Sequence, residues 1–345
     1  MARRLLWATL ALAPLTIAVD LAFHPSKVVL FALSAASLVP LAWLIGESTE
    51  HTAEHTGARI GALLNASFGN APEVIIALFA VADALPNVVR GSLAGSVISN
   101  MLLVLGAALV FGEESRIDRS ALFVQLGLVL FAVVLLLIPS IPGWRGSPDR
   151  HTLVLVGIGP AILLLVLYLV ITTLGVRAVA RPTETPREGS WRLPVALGAL
   201  AAATVATAFI SEILVHSLKA FAHSAGLTQF FISIVIVAIV GNAAEHGGAV
   251  VIARRGKMKL ATEIALSSSA QVGLFVLPVV ALLSLAFAHP LTLSFRPIEL
   301  GAIGVAALTA GAVLRDGCAR RWEGALLVAV YAVMVIAFGF TPDRS

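Results

Sequence analysis

Leu63-Leu64-Asn65-Ala66-Ser67-Phe68-Gly69-Asn70-Ala71-Pro72-Glu73 and Val240-Gly241-Asn242-Ala243-Ala244-Glu245-His246-Gly247-Gly248-Ala249-Val250 share a Gly-Asn-Ala-x-Glu core at a separation of 172 positions, each within a long apolar stretch. A carboxylate inside hydrocarbon is costly, so an acid kept there points to a function. Two such acids at matching places in two halves of one chain predict a duplicated ion site on a duplicated fold.

The surroundings of the motifs set the environment. Of 345 residues 59% are hydrophobic and 12% are charged, against about 25% charged in an average soluble domain, and the mean hydropathy is +0.99. Many runs approach or exceed the ~20 apolar residues that carry a helix across a bilayer, and the alternation expected of a membrane barrel is missing. The expected fold class is an all-α membrane protein. The single cysteine, Cys318, rules out an internal disulfide and a Cys-x-x-Cys zinc or redox motif. The net charge of +4 gives no reason to expect a nucleic-acid partner, because basic residues in a membrane protein report orientation.

Eleven transmembrane helices are expected, in roughly 4–23, 26–48, 58–82, 87–111, 120–139, 152–175, 192–217, 229–253, 260–287, 297–314 and 322–340, with bounds good to ~2–4 residues. The first follows Arg3-Arg4 like a signal peptide, but no small-residue cleavage site closes it, so it is expected to be retained. Of the 23 Lys and Arg, seven (Lys27, Arg90, Arg145, Arg150, Lys219, Arg296 and Arg344) fall on one side of this alternation and sixteen on the other. The excess puts the N-terminus in the cytoplasm and the C-terminus outside.

The polar stretch around Arg181-Pro182-Thr183-Glu184-Thr185-Pro186-Arg187-Glu188 reads as a cytoplasmic linker. Five spans precede it after the first helix and five follow. Because five is odd, the two units cross the membrane in opposite senses, the inverted-repeat plan of many secondary transporters. The expected division is an additional N-terminal helix (1–25), a first five-helix repeat (26–175), the linker (176–191) and a second repeat (192–345).

Within the first motif Pro72 has no N–H to bond the carbonyl of Phe68, and Gly69 loosens the backbone, so the helix should break and free carbonyl oxygens. Such irregular backbone is tolerated at membrane depth only where protein or a water-filled cavity satisfies it. In the second motif Ala244 replaces the proline, and the expected break rests on Gly241 alone. On a continuous helix, Asn70 with Glu73 and Asn242 with Glu245 share a face. Inverted halves packed together would bring both pairs to one central site of carboxylate, amide and backbone oxygens, the hard donors that suit Ca²⁺. Two ionised glutamates balance one divalent cation. Once the cation leaves, poorly solvated like charges favour protonation, so the same residues can bind Ca²⁺ or H⁺.

The offset extends further. It takes Gly69 to Gly241, Ser96 to Ser268, and Ser99 to Gln271. Ser92, Gly95, Ser96 and Ser99 recur at helical spacing on one face, as do Ser267, Ser268 and Gln271. Ser96, Ser99, Ser268 and Gln271 are therefore expected to line the site, with small-residue helix packing as the structural alternative.

These stretches, with Gly95-Ser96-Val97-Ile98-Ser99-Asn100 and Ser267-Ser268-Ser269-Ala270-Gln271, resemble the two signature regions of the calcium/proton exchangers, the CAX family of the cation/calcium exchanger superfamily. The resemblance covers most of the chain. It implies Ca²⁺/H⁺ antiport that exports calcium by alternating access, with no cofactor. Glu73 and Glu245 would be the metal and proton ligands, and Asn70 and Asn242 would lie in the same site. It also matches Glu50 and Glu212 to acidic positions near the cytoplasmic and outer entrances, an access or gating role with an interfacial charge as the alternative. His246 would tune or relay protons, or simply pack. Ser267 stands where the family commonly has glycine, and the linker lacks the acidic stretch of eukaryotic relatives, which suggests a prokaryotic cell-membrane protein. A homo-oligomer is compatible with this plan.

The sequence is compatible with other readings. Mn²⁺ accepts the same oxygen ligands, and a sodium/calcium exchanger would share the architecture. His51-Thr52-Ala53-Glu54-His55 fits the His-x-x-Glu-His pattern of a zinc peptidase, although no third ligand is apparent and the segment reads better as the charged end of the second helix. A cation channel could also use intramembrane acids.

Overall fold

The computed structural model describes residues 2–23, 25–178 and 191–344. The linker reading falls, for residues 179–190, outside the described residues.

In chain order, α1 (Ala2–Thr9) and α2 (Leu12–Phe23) lead into α3 (Lys27–Phe68), α4 (Ala71–Ala82) and α5 (Pro86–Ser99). A π-helical turn (Asn100–Val104) joins α5 to α6 (Leu105–Phe111); β1 (Ser115–Arg116), α7 (Arg119–Gly143) and α8 (His151–Ala178) follow. Next come α9 (Leu193–Ala225), α10 (Gln229–Phe231), a π turn (Ile232–Val237), α11 (Ala238–Gly241), α12 (Ala243–Arg254) and α13 (Met258–Gln271). A third π turn (Val272–Val276) precedes α14 (Leu277–Leu283), and α15 (Pro297–Val313), β2 (Cys318–Ala319) and α16 (Arg321–Gly339) complete the order.

The 172-residue offset governs the elements as well as the residues. It carries α4 onto α12, α5 onto α13, the turn Asn100–Val104 onto Val272–Val276, and α6 onto α14, end for end. π turns cost regular hydrogen bonding and occur mostly where a helix has a function to serve.

Eight described helices are long and apolar enough to cross a membrane, or nine if Gln229–Gly241 and Glu245–Arg254, which meet at 56°, count as one. The expected span 58–82 is split between the end of α3 and the 12-residue α4, and 297–314 is the 17-residue α15. Neither meets the length of a single spanning helix.

The second helix does not end near Glu50, and no break separates it from residues 58–68. The 42-residue α3 runs through this stretch, about 63 Å at 1.5 Å per residue, so Glu50 is inside a helix and not at its end. The reason is local: Thr49, Thr52 and Thr56 bond the carbonyls of Ile45, Ser48 and Thr52. His51 lies 3.6 Å from both Glu47 and Glu54, at i,i+4 and i,i+3 spacing. Polar side chains that satisfy one another on a helix give no signal to stop it.

The chain divides into two compact units. One comprises Met1–Phe79, Val166–Gly226 and Val240–Ala244. Its frame is α3 against α9, with Phe31 stacked on Phe221 at 4.2 Å and Ile45 packed with Leu200 and Ala203. The Thr16 and Ser37 hydroxyls, 2.9 Å apart, tie α2 to α3. His55 Nε2 meets the Trp191 carbonyl at 2.7 Å, and His51 stacks on the Trp191 ring.

The other unit comprises Ala80–Leu165, Leu227–Ile239 and Glu245–Ser345. Glycine sets its closest helix approach: a Cβ on Gly95 would overlap the Ile234 carbonyl oxygen and lie 2.8 Å from Ala238 Cβ. Leu291 to Phe295 is non-helical yet buried, and side chains satisfy its backbone, as burial demands. Ser284 Oγ accepts the Leu291 N–H, Ser140 Oγ donates to the Leu293 carbonyl and accepts the Phe295 N–H, and Trp144 Nε1 donates to the Phe295 carbonyl. Arg344 Nη1 donates to the Ser294 carbonyl, while Asp343 accepts the first amides of α10, from Gln229 and Phe230.

Arg90, 1% exposed, is the largest fully buried side chain. Its Nη1 donates to Asp149 at 2.7 Å and to Thr292 Oγ1 at 2.8 Å, and its Nη2 donates to Asn87 at 2.7 Å. Burial pushes the Asp149 carboxyl up, but hydrogen bonding and charge from Arg90, with Thr292 and Arg344, outweigh it and hold the group below its usual value of 3.8. A carboxyl depressed in the folded state contributes stability that is full above its unfolded value and is lost as pH falls through the folded one. Asp149→Asn should therefore lower the thermal midpoint at pH 7, at a cost of about 2 kcal/mol, less than for a fully buried pair because Asp149 keeps 37% of its side chain exposed. The gap between the two proteins should close below about pH 4, which a midpoint series against pH in detergent will read.

Candidate functional site

Each Gly-Asn-Ala-x-Glu motif sits at a helix break. After Phe68, Gly69 and Asn70 form a turn and α4 starts at Ala71, with the Val74 N–H closing on the Asn70 carbonyl at 3.1 Å. Pro72 falls in the first turn, where its missing N–H leaves no bond unmade. In the second motif α11 ends at Gly241, Asn242 is the turn, and α12 starts at Ala243. The break lacking a proline therefore exists, at the asparagine. Glu73 and Glu245 each occupy the first turn of the helix that restarts, where the macrodipole favours negative charge.

In the first unit Asn70 is fully buried, Asn242 is 1% exposed and Glu73 6%. A Cβ on Gly241 would lie 3.6 Å from Glu73 Cγ and 3.9 Å from its Cδ, so even the smallest side chain at the glycine of one motif would touch the acid of the other. Oxygen donors of both motifs are thus gathered in one unit. Of the expected access residues, Glu50 lies on the exposed face of α3 and Glu212 is half-buried on α9.

The second unit carries Glu245 in a hydrogen-bonded chain. His246 Nε2 and Asn100 Oδ1 are 3.1 Å apart, Asn100 Nδ2 donates to Ser268 Oγ at 2.9 Å, and Ser268 Oγ donates to Glu245 Oε2. Ser268 and His246 were expected near the acid. Asn100 is the residue that sequence reasoning missed: it ends the polar run after Ser99, but the offset carries it to Val272, so it has no polar partner in the repeat. Ser96 and Ser99 are buried on α5, where Ser99 bonds the Ser96 carbonyl, and Gln271 ends α13 half-buried.

Chemically, these are carboxylate, amide and hydroxyl oxygens in largely apolar surroundings, a set that can hold a hard cation or take up protons. Among the described residues no three His, Cys, Asp or Glu side chains are disposed to hold a metal ion. The His51/His55 pair in particular is engaged with Glu47, Glu54 and Trp191.

Comparison with known proteins places this arrangement in context. The sequence matches the family described as "Sodium/calcium exchanger protein" over residues 26–176 and 195–340. It is 38% identical over 341 residues to "Ca(2+)/H(+) antiporter ChaA" of Bacillus subtilis, covering 94% of this chain and 95% of that protein. It is 33% identical to "Ca(2+)/H(+) antiporter" of Aphanothece halophytica, covering 92% of each. Among solved structures, native YfkE superposes with a TM-score of 0.83 at 36% identity, covering 96% of this chain and 98% of that one. The H+/Ca2+ exchanger CAX shares the fold, with a TM-score of 0.72 at 17% identity and coverage of 97% and 91%.

Proposed function

We propose, from the premise that this chain belongs to the sodium/calcium exchanger protein family, that it is a secondary active transporter exchanging Ca²⁺ for H⁺. The observation that carries the mechanism is the pair Glu73 and Glu245, each in the first turn of a helix restarting at the same offset in a repeated set of elements. The relatives covering nearly the whole chain are Ca²⁺/H⁺ antiporters by name. It is a transporter and not an enzyme, and the carried ions are its substrates, so no cofactor enters.

In the proposed cycle Glu73 and Glu245 bind Ca²⁺ in ionised form, with Asn70 and Asn242 as further oxygen donors, and take protons when the cation leaves. Gly69 and Gly241 give the backbone its freedom at the breaks, and Ser96, Ser99, Ser268 and Gln271 line the route. Asn100 and His246 orient Ser268 and through it Glu245, while Glu50 and Glu212 attract the cation toward it. Eleven crossings, in an N-terminal helix (1–25), two inverted five-helix repeats (26–175 and 192–345) and a cytoplasmic linker (176–191), fit the odd number of spans per half. The sixteen-to-seven bias of basic residues supports a cytoplasmic N-terminus and an outer C-terminus in a prokaryotic cell membrane. Proton entry then drives Ca²⁺ out.

Proteoliposomes with one ion gradient imposed at a time test this reading. An acid interior should drive ⁴⁵Ca²⁺ uptake with no Na⁺ present; uptake that follows a Na⁺ gradient and ignores pH would assign sodium/calcium exchange instead, and Ca²⁺ flux needing no counter-ion would assign a channel.

The Asn100–Ser268–Glu245 chain yields a further expectation. Ser268→Ala and Asn100→Ala should each weaken apparent Ca²⁺ affinity about tenfold, the scale of one charge-assisted hydrogen bond. The double variant should lose little more than either single one, because both act through one carboxylate. Uptake measured against Ca²⁺ concentration reads the coupling directly.

A further inference from the structure

A groove of about 340 Å³ lies between the start of α7 and the first turns of α13, within the second unit. Asp118, Gln125, Thr262, Glu263 and Ser267 supply its polar lining, and the charged side chains among the lining residues are both acids. Asp118 is already engaged. Lys259 pairs with it at 3.4 Å, and its carboxylate caps α7 by accepting the Ser120 and Ala121 amides. Glu263, one turn beyond Lys259 on α13, is half-buried and has no ion pair or side-chain hydrogen bond among the described residues. One unbalanced negative charge therefore faces the groove. A water takes up about 30 Å³, so the space admits a divalent cation together with a shell of about six to eight waters.

The groove adjoins the side of α13 that holds Glu245. Glu263, Ser267 and Gln271 follow one another at four-residue spacing, all half-buried. At about 100° per residue Gln271 falls about 40° from Ser267 and about 60° from Ser268, so it borders both the groove side and the side on which Ser268 donates to Glu245. From Glu263 to Gln271 the helix rises about 12 Å. The first half is built differently at these positions. The 172-residue offset puts Gly91 and Gly95 where Glu263 and Ser267 stand, and that face is closed: a Cβ on Gly91 would lie 3.1 Å from Ser233 Cβ, and one on Gly95 would overlap the Ile234 carbonyl oxygen. Thr262 is matched by Arg90, buried against Asp149 and Thr292. Packing alone gives no reason for one copy of the helix to be glycine-tight and the other to carry an acid and a hydroxyl beside open space.

We propose, resting on the Ca²⁺/H⁺ exchange reading, that this groove is an entrance through which a hydrated divalent cation reaches Glu245. Glu263 is the charge that draws the cation in, and Gln125, Ser267 and Gln271 offer oxygens that replace its waters on the way. Glu263 acts on the approach and leaves the final ligands unchanged. A half-buried carboxylate beside the path favours a divalent cation by about fivefold at low ionic strength, an advantage that fades as the Debye length shrinks to ~3 Å at 1 M salt. A charge of this kind acts on the association rate.

Detergent-solubilised full-length protein, mixed rapidly with Ca²⁺ and a Ca²⁺ indicator, is the test. Glu263→Gln should slow association about fivefold in low salt and by less than about twofold at ~1 M, with dissociation unchanged, and Glu263→Asp should keep most of the wild-type rate. A purely structural role for Glu263 would not give that salt dependence. Equal association rates for wild type and Glu263→Gln in low salt, at equal thermal midpoints, would overturn the proposal. A second measurement needs no ion binding. In S267C/C318S, which removes the native cysteine, a cationic methanethiosulfonate should label the introduced thiol faster than an anionic one, and adding Glu263→Gln should lower the ratio of the two rates about fivefold. The ratio cancels any change in thiol reactivity. Labelling should also slow Ca²⁺ association. A ratio indifferent to Glu263→Gln, or Ca²⁺ association as fast after labelling as before, would overturn the proposal. A wild type that binds no Ca²⁺ yet labels in this charge-selective way would count against the exchange reading and in favour of a cation entrance.

Discussion

Glu73→Gln is expected to abolish pH-driven Ca²⁺ uptake, by at least two orders of magnitude, and Glu245→Gln to do the same. Glutamine keeps the shape and loses the charge and the titratable proton together. Where a divalent cation is balanced by two carboxylates in apolar surroundings, removing one leaves a charge uncompensated, at a cost of about 3–5 kcal/mol for a buried pair, and 1.36 kcal/mol is a factor of ten. The exchange cycle suffers twice, since neither the ion nor its counter-ion has its seat. Both variants should fold, because glutamine suits the first turn of a helix nearly as well. Wild-type thermal midpoints with absent uptake are the expected pair of results. Retained uptake in either variant would remove that residue from the mechanism.

Gly95→Ala should be as damaging to the fold as those variants are to transport. A methyl group at this position overlaps the Ile234 carbonyl oxygen and comes within 2.7 Å of the Ile234 carbonyl carbon. The obstacle is backbone, which cannot rotate aside, so α5 must move off the turn Ile232–Val237. Overpacking of this kind costs about 3 kcal/mol, the upper end of the usual range, and a lower thermal midpoint and poor yield should follow. The repeat supplies the control. The same offset takes Gly95 to Ser267, which carries a side chain and bonds the Ile264 carbonyl at 3.2 Å. Ser267→Gly should cost less than about 1 kcal/mol, the difference in helix propensity. Equal effects at the two positions would mean that the glycine contact is not what holds α5 in place.

The comparison of these two positions shows what was legible in the sequence. Repetition was: one offset, read from Gly-Asn-Ala-x-Glu, extends to the ends of four successive structural elements. Burial of Glu73 and of both asparagines was legible too, since apolar neighbours surround them on both sides. What the sequence hid depends on partners distant along the chain or on local compensation. The stretch from Glu47 to Thr56 reads as the end of the second helix because it is polar, and the helix runs on through it because its hydroxyls, acids and histidines bond within it. Leu291 to Phe295 looks like an external loop and is buried, because Ser140, Trp144, Ser284 and Arg344 satisfy its backbone. Asn100 escaped because it breaks the symmetry used to find the other site residues. The α12 break lies at Asn242, where no proline announced it.

If Ca²⁺ and protons compete for Glu73 and Glu245, each Ca²⁺ that binds displaces protons into solution. Purified protein in weakly buffered detergent solution, adjusted to a pH at which the empty site holds protons, should acidify the solution on addition of Ca²⁺, in proportion to the cation bound. In Glu73→Gln/Glu245→Gln the release should vanish together with the binding. Ca²⁺ binding to the wild type with no proton release over the working pH range, or equal release from the double variant, would rule this competition out.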